Sequence, residues 1–300
     1  MTIGVLIFSE PRDQRFSNVD ELVAAGEQRG HVMVRLYEPQ LSFVHDGSRL
    51  HVLHEGGSLV LPDVIIARPN FIEEPSLHVA TFGLLQQASA CLLNGHPDTL
   101  LAKNKLAQHD RMARAGIPMP RWSIGKSPAF AFAAAKEFGF PVIIKVGFGT
   151  QGKGVFYADS PETFHPIVDY LAVRDKNALL IEECIVEADR KDLRIFVVGG
   201  RIVAAMERTA RAGDMRANAS IGGTGRAVTL SKEEADLAIR SAQLFSLDIA
   251  GVDILRSHRG PLVIEVNSNP GFTELQRATG IDIAAALIEE AEHRADHRTT

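Results

Sequence analysis

The sequence predicts a mixed fold, with a parallel α/β layer at the N-terminus followed by α+β lobes. Three observations support this. Strand and helix patterns alternate over the first ninety or so residues, which is the order of a parallel sheet. The glycine pairs Gly56-Gly57 and Gly199-Gly200 each separate two strand patterns, as hairpin turns do. A glycine-rich segment over 147–154 also lies between two strand patterns.

Composition excludes several classes of protein. The 300 residues are 45% hydrophobic and 23% charged, so the chain can bury a large core in about two domains. A net charge of -5 gives no general basic surface, so no nucleic-acid partner is expected. The first apolar run, 3–8, is too short to span a membrane, so we expect no membrane association. Cys91 and Cys184 lie in apolar runs, which is typical of buried thiols in a reducing, cytoplasmic compartment.

The N-terminal elements follow one another in α/β order. The pattern predicts a strand over 3–8, a helix over 17–29, strands over 32–37 and 64–67, a helix over 76–88 and a strand over 91–93. Within this layer a hairpin over 49–61 turns at Gly56-Gly57. Its residues His51 and His54 are three apart on a strand and face opposite sides, so we expect surface histidines and no metal site there.

The remaining elements form two lobes. A helix is predicted from Pro97 to about Arg114, carrying Lys103 and Lys105, followed by strands and helices of a small α+β lobe over 122–173. The later elements are a strand over 178–185, a hairpin over 193–206, a helix capped by Ser231, a strand pair over 251–255 and 262–266, and a C-terminal helix from near 281.

The glycine-rich segment fits more than one phosphate-binding pattern. Gly147, Gly149 and Gly152 match the dinucleotide fingerprint, but a strand pattern follows where that fingerprint needs a helix. The P-loop pattern fails as well, because Gly154 stands where a serine or threonine is required. Two interpretations remain, a flap whose backbone N–H groups close over phosphates and a plain flexible hairpin loop.

A protein kinase uses such a flap, but other kinase features are absent from the sequence. The basic residue Lys145 lies on the strand before the loop, and neither an H-R-D nor a D-F-G triplet occurs in the chain. The kinase interpretation is therefore disfavoured.

The late strand pair carries a candidate metal site. Strand alternation places Glu265 and Asn267 on one face and Ile264 on the core side. If the turn is centred on Arg259, Asp253 lies directly opposite Glu265. Two carboxylates so placed destabilise a sheet unless a cation lies between them. Carboxylate and amide oxygens are the ligands that Mg²⁺ prefers, and the alternative is a solvated acidic face.

Taken in order, these motifs resemble ATP-grasp ligases, and more closely the RimK type, which adds glutamate to a carboxylate-ending chain. The resemblance runs from about Leu101 to the end of the chain. It is carried by Lys105, Lys145, the loop 149–155, the run 180–185, the segment 214–218, and the hairpin segments 251–254 and 265–271. It implies an ATP-grasp fold with an N-terminal pre-ATP-grasp domain over 1–98, a small lobe over 99–178 and a large lobe over 179–300.

The resemblance also implies roles for individual residues. The lysines would contact nucleotide phosphates, Glu183 and Cys184 would meet adenine through backbone groups, and Asp192 would bind the ribose. Without the resemblance, Asp192 is a turn acid and Lys105 a surface lysine. The implied nucleotide-binding set is Lys105, Lys145, Gly149, Thr150, Gln151, Gly152, Glu183, Cys184, Asp192, Arg216 and Asn218.

The implied catalytic set is Arg208, Arg216 and Asn218. Arg216 and Asn218 would approach the transferred phosphate, while Arg208 either orients a substrate carboxylate or belongs to a solvated strand end. Mg²⁺, with Mn²⁺ as a second candidate, would be held by Asp253, Glu265 and Asn267.

The resulting hypothesis is ATP-dependent joining of an amine to a carboxylate through an acyl phosphate. Glutamate is the usual amine in the family, and acceptors include protein C-termini, peptides and small metabolites. The N-terminal strand ends at 9–12, 68–70 and 94–95 are predicted to supply part of the acceptor site. A ligase for another amino acid, an ATP-binding module without ligase activity and a phosphotransferase remain alternatives. Related enzymes are often dimers or tetramers, so a homo-oligomer is expected by analogy.

Overall fold

The fold is that of a computed structural model, which describes residues 1–8, 17–69, 75–95, 98–147, 154–174, 178–210 and 224–297. The N-terminal elements are β1 (Thr2–Ile7), α1 (Ser17–Gln28), β2 (Val32–Tyr37), β3 (Leu41–His45), β4 (Leu50–His54), β5 (Gly57–Ser58), β6 (Val64–Arg68), α2 (Pro75–Gln87) and β7 (Leu92–Leu93). Next come α3 (Asp98–Leu101), α4 (Lys105–Arg114), β8 (Trp122–Gly125), α5 (Pro128–Phe138), β9 (Val142–Val146), β10 (Val155–Ala158), α6 (Pro161–Arg174) and β11 (Leu179–Glu183). The last group is β12 (Lys191–Val198), β13 (Arg201–Thr209), β14 (Thr224–Ala227), α7 (Lys232–Leu244), β15 (Ile249–Ser257), β16 (Gly260–Asn267), α8 (Thr273–Thr279) and α9 (Ile283–Asp296).

The predicted parallel layer is confirmed. Its strands run in the order β2-β1-β6-β7 and are all parallel. The central strands β1 and β6 are buried along nearly their whole length, as expected for a parallel sheet covered on both faces. One covering face comes from the far end of the chain, because Leu287 and Ile288 of α9 share a core with Ile3 and Val5 of β1.

The predicted N-terminal hairpin is a three-stranded antiparallel sheet in the order β3-β4-β5. Its second turn lies at Glu55-Gly56, one residue earlier than predicted, because both residues have positive φ, 50° and 79°, and Gly57 already pairs with His54. The first strand of this sheet was not predicted, although Asp46-Gly47, a typical hairpin turn pair, follows it directly.

The small lobe is built on an antiparallel sheet in the order β10-β9-β11-β8. Helices α5 and α6 cover one face, and Phe164 of α6 packs fully buried against Ile144 of β9 and Ile181 of β11. The glycine-rich segment joins β9 to β10, as the sequence predicts.

The helix predicted from Pro97 to Arg114 is two helices, α3 and α4. The break occurs because Asn104 acts as the N-cap of α4: its Oδ1 accepts hydrogen bonds from the backbone N–H groups of Leu106 and Ala107. The cap makes Lys105 the first residue of α4, where the positive end of the helix dipole lies.

The large lobe contains an antiparallel sheet in the order β14-β13-β12-β15-β16. Gly199 and Gly200 form the predicted two-residue turn, with φ of 54° and 73°. Ser231 and Glu234 form the predicted capping box at the start of α7. The core under this sheet also includes Met112 of α4, so packing crosses the predicted boundary between lobes. The division at 98 and 178 stays a prediction.

Asn94, at the end of β7, joins the N-terminal layer to the large sheet. Its Nδ2 donates to the carbonyls of Ile249 and Ser268 at 2.7 and 2.9 Å, and its Oδ1 accepts from the N–H of Ile249 at 2.8 Å. The side chain is 2% exposed. The sequence predicted that residues 94–95 contact an acceptor substrate, but the Asn94 amide makes its hydrogen bonds within the protein.

We expect Asn94→Ala to lower the free energy of unfolding by about 3 kcal/mol, because it leaves the Ile249 N–H buried without its partner. Urea unfolding measures this loss. The control Gln28→Ala removes an amide from an exposed position at the end of α1 and should change stability by less than about 0.5 kcal/mol. Equal effects of the two substitutions would contradict the role assigned to Asn94.

Candidate active site

A cleft with a volume of about 580 Å³ lies between the small-lobe sheet and the large-lobe sheet. It gathers six predicted site residues from six different elements, α4, β9, β12, β13, β15 and β16. Those six are Lys105, Lys145, Asp192, Arg208, Asp253 and Glu265, and the predicted base-contacting pair Glu183 and Cys184 also lines it. The sequence motifs thus come together at one place in the fold.

The predicted pairing of Asp253 with Glu265 is confirmed, for a partly different reason. The turn of the β15–β16 ribbon joins Ser257 to Gly260, and this turn alone would place residue 253 opposite residue 264. A bulge next to Asp253 shifts the register by one and brings Glu265 opposite it. The bulge also corrects one expectation, because Ile264 lines the cleft, and Val263 takes the core position.

The face of the large sheet toward the cleft carries charges of alternating sign. Across neighbouring strands, Asp192 pairs with Arg208 and Arg194 pairs with Asp253. The Arg208 guanidinium donates to both oxygens of Asp192, at 2.6 and 2.7 Å, and lies 2.9 Å from Asp253 Oδ2. Arg194 donates to the Asp253 oxygens at 2.5 and 3.0 Å. Each buried carboxylate is therefore held by a guanidinium.

Helix α4 places the ammonium of Lys105 next to Glu265, the second acid of the β15–β16 pair. Lys105 Nζ lies 3.1 Å from Glu265 Oε1, and the backbone N–H of Lys105 donates to the carbonyl of Gly147, the last described residue before the glycine-rich loop. The N-terminus of α4 thus connects the β16 acid to the end of β9. A lysine at a helix N-terminus, next to a glycine-rich turn, is well placed to bind an anion.

A buried chain of polar side chains lies on the small-lobe side. Lys145 Nζ is 2.6 Å from Glu182 Oε2, and Glu182 Oε1 is 2.6 Å from His109 Nε2. Glu182 and His109 are 2% and 1% exposed. In the β9–β11 register, Lys145 lies opposite Leu180, so Glu182 projects from the same face.

Neighbouring cations hold these acids ionised despite burial. Burial raises the pKa of Glu182, but the ammonium of Lys145 and the His109 ring outweigh it and bring that pKa to about 2. The pKa of Glu265 is likewise about 2, where burial is outweighed by Lys105 and then Lys145. Burial raises the pKa of the Cys184 thiol to about 11, so Cys184 is a poor nucleophile.

Glu183 and Cys184, the predicted hinge segment that would contact adenine, both have their backbone N–H groups hydrogen-bonded within the protein. The N–H of Glu183 donates to the Arg121 carbonyl, and that of Cys184 donates to the Pro141 carbonyl. The Glu183 carboxylate is bound by Arg121 and by Arg259 of the β15–β16 turn, which ties the hinge to the large lobe. Contacts of this segment with a base remain a prediction.

Several predicted residues lie outside the part that the structure describes: Gly149, Thr150, Gln151, Gly152, Arg216 and Asn218. Three residues of the site were not predicted from the sequence, namely His109, Glu182 and Arg194. Strand alternation could have found Arg194, which lies two residues after Asp192 and so shares its face. No local pattern marks His109, because its partner is distant in sequence.

The acidic residues of the ribbon suit a divalent cation by their chemistry. Asp253 and Glu265 are neighbours on one face, and Asn267 follows Glu265 by two residues on the same strand. Within the described ranges, no three His, Cys, Asp or Glu side chains are grouped as a metal site, and the set proposed here has two acids and an amide. The acids are paired with Arg194, Arg208 and Lys105 in this structure, so a bound cation would share them with these groups.

The sequence of the two lobes decides the family. Residues 102–291 match the RimK-like ATP-grasp domain. The chain is a member of the RimK-like ATP-grasp family. A ribosomal protein bS6–L-glutamate ligase of Salmonella schwarzengrund (strain CVM19633) is 36% identical over 289 residues, covering 95% of this chain and 94% of that protein. A probable alpha-L-glutamate ligase of Parasynechococcus marenigrum (strain WH8102) is 37% identical over 294 residues, covering 96% of this chain.

This RimK-like chain spans 61% of the length of the Parasynechococcus protein, and about the same share of two Shewanella relatives. Among solved structures, the ATP-grasp ligase PsnB complexed with minimal precursor, Mg and ADP has a TM-score of 0.74 at 18% identity, covering 98% of this chain and 97% of that one. That likeness confirms the predicted ATP-grasp fold. In the described part of the chain, no helix is long and apolar enough to cross a membrane.

The Glu182 carboxylate should make stability depend on acid pH. Its pKa is about 2 in the folded chain against an ordinary 4.5, so its contribution is complete above about pH 4.5 and is lost as the pH falls toward 2. We expect Glu182→Gln to lower the free energy of unfolding by about 3 kcal/mol at pH 6, because Lys145 loses its counter-charge. The difference from wild type should shrink at pH 3.

Urea unfolding at both pH values measures this. The control Glu27→Gln, at an exposed position of α1, should keep the wild-type pH dependence. A Glu182→Gln chain that loses as much stability between pH 6 and pH 3 as wild type would show that folding does not lower the pKa of Glu182.

Proposed function

We propose that the chain is an ATP- and Mg²⁺-dependent ligase that joins an amine to a carboxylate and releases ADP and phosphate. The single observation that supports this most is the cleft, which holds two lysines opposite a pair of acids on adjacent strands. Such a set suits a triphosphate, with Lys105 and Lys145 pairing its oxygens. The family assignment and the names of the relatives agree with it.

The reaction would proceed in two steps. An oxygen of the substrate carboxylate attacks the γ-phosphorus of ATP, forming an acyl phosphate as the bond to the ADP oxygen breaks. The amine nitrogen then attacks the acyl carbon, the bond to phosphate breaks, and the nitrogen loses a proton. Lys145 would neutralise charge on the transferred group, because its Nζ lies within the cleft, 2.6 Å from Glu182 Oε2.

A divalent cation, Mg²⁺ or alternatively Mn²⁺, would be held by Asp253, Glu265 and Asn267 and would neutralise phosphate charge. Lys105 contacts Glu265, and its ammonium could instead pair with an incoming phosphate while its backbone stays at the N-terminus of α4. Arg208 joins Asp192 to Asp253, so it would couple the ribose position to the metal position. Roles for Arg216 and Asn218 at the transferred phosphate, and for the loop 149–152 as a flap, are carried by the resemblance alone.

We further propose glutamate as the amine and a peptide or protein C-terminus as the carboxylate. Relatives named for glutamate ligation to ribosomal protein bS6, and fold neighbours solved with precursor peptides, support this choice. The strand ends of the N-terminal layer border the large lobe, where Asn269 donates to the Pro69 carbonyl and Arg68 donates to the Pro270 carbonyl. A long acceptor would approach along this junction.

The test is incubation of the purified chain with ATP, Mg²⁺, isotope-labelled glutamate and a panel of peptides with free C-termini, read by mass spectrometry. A product that gains a glutamyl group, with ADP formed in equal amount, supports the proposal. Added hydroxylamine should trap the acyl phosphate as a hydroxamate. ATP binding without turnover on the panel would favour a binding module instead, and a stable phosphorylated product would favour a phosphotransferase.

We expect Glu265→Gln to lower the rate of ADP formation about a hundredfold or more, because it removes a metal ligand and the partner of Lys105. The loss should be smaller at high Mg²⁺ concentration. The control Glu233→Gln changes an exposed acid at the start of α7 and should keep wild-type turnover. A Glu265→Gln chain with wild-type turnover and Mg²⁺ dependence would contradict the metal assignment.

A further inference from the structure

His109 is a buried titratable residue that the mechanism above does not use. It lies four residues after Lys105 on α4, and its ring is 1% exposed. Trp122, the single tryptophan of the chain, packs edge to face on it with ring centroids 5.8 Å apart. Water is therefore excluded from the ring, and the protein must satisfy both ring nitrogens.

Both nitrogens face hydrogen-bond acceptors. Nδ1 lies 2.7 Å from the carbonyl oxygen of Lys105, and Nε2 lies 2.6 Å from Oε1 of Glu182. A carbonyl oxygen can only accept a hydrogen bond, and the same is true of an ionised carboxylate. A neutral imidazole carries one N–H and could satisfy one of these two contacts, whereas the imidazolium satisfies both.

A proton on Glu182 and a neutral His109 would satisfy these contacts less well than an imidazolium and a carboxylate. A protonated Glu182 could donate to a neutral His109, but it would remove the counter-charge of Lys145, whose Nζ lies 2.6 Å from the other carboxylate oxygen. The charge arrangement that satisfies all the contacts is a buried carboxylate between two cations. The charged groups around His109 are Glu182 on β11, Lys145 on β9, and Lys105 on its own helix, which in turn faces Glu265 on β16.

We propose that His109 is a positioning residue for nucleotide binding, whose imidazolium neutralises Glu182 so that the Lys145 ammonium can pair with nucleotide phosphates. This rests on the proposed function. With His109 charged, Glu182 keeps one cation when Lys145 turns toward a phosphate, so Lys145 can leave without stranding a buried carboxylate. Without that charge, Lys145 must stay with Glu182, and the nucleotide loses one of its two lysine contacts.

The first test observes the ring directly. In wild-type protein with ¹⁵N-labelled histidine, NMR at pH 7 should show both nitrogens of His109 protonated, with the assignment made from the resonance that disappears in His109→Gln. In Glu182→Gln the amide can donate to Nε2, so the ring should become neutral with its proton on Nδ1. A neutral ring in wild type would overturn the inference whatever the enzyme does.

The second test is a double-mutant cycle on the affinity for a non-hydrolysable ATP analogue with Mg²⁺, measured by calorimetry. We expect His109→Gln alone to weaken binding about tenfold, because Gln can donate to Glu182 without a charge. In the Glu182→Gln background, the same substitution should change affinity less than about twofold, since no carboxylate then retains Lys145. Turnover at saturating ATP should fall less than affinity.

The design separates the inference from its premise. If wild-type protein binds no nucleotide, the proposed function fails, and the NMR result still decides the protonation state. If wild type binds and His109→Gln binds equally well, the positioning role is overturned. A purely structural role for His109 predicts the same loss in both backgrounds. The control His51→Gln, on the exposed β3–β4 hairpin, should leave affinity unchanged, and circular dichroism checks that each variant is folded.

Discussion

The arrangement of the site depends on one constraint: a carboxylate buried away from water must be held by a cation. On the large sheet, Asp192 and Asp253 are bridged by Arg208, and Arg194 completes the bonding of Asp253. Across the cleft, Glu182 lies against Lys145. Removing one member of such a set leaves an uncompensated charge, which is why the positions are interdependent even though each ion pair adds little net stability.

This constraint also joins the lobes. Lys105 contacts Glu265 of the large sheet through its side chain, and through its backbone it contacts both Gly147 of the small lobe and the His109 ring. One helical turn of α4 thus links the acidic ribbon, the strand before the glycine-rich loop and the buried Glu182. A ligand that exchanges partners with either lysine would change contacts on both sides of the cleft, as the proposed triphosphate would.

Sequence reasoning recovered the pieces of the site better than their connections. The alternation of residues on a strand was sufficient to put Glu265 and Asn267 on one face. The glycine-rich segment was correctly separated from Rossmann and P-loop patterns by the strand that follows it. The opposition of Asp253 and Glu265 was predicted correctly from an assumed turn centre, although a bulge and a shorter turn produce it. A bulge has no reliable local signal, so Ile264 was misplaced.

The sequence by itself determined the α/β order of the first layer, the hairpin turn at Gly199-Gly200 and the cap at Ser231. It also identified most of the charged residues of the cleft, although not Glu182. These features depend on local backbone preference and on the period of side chains along a strand or helix, both of which are written in neighbouring residues. The tertiary structure decided which cation faces which acid. The His109–Glu182 contact joins residues 73 positions apart, and only the packing of α4 against the small-lobe sheet brings them together and removes the water that would otherwise screen their charges.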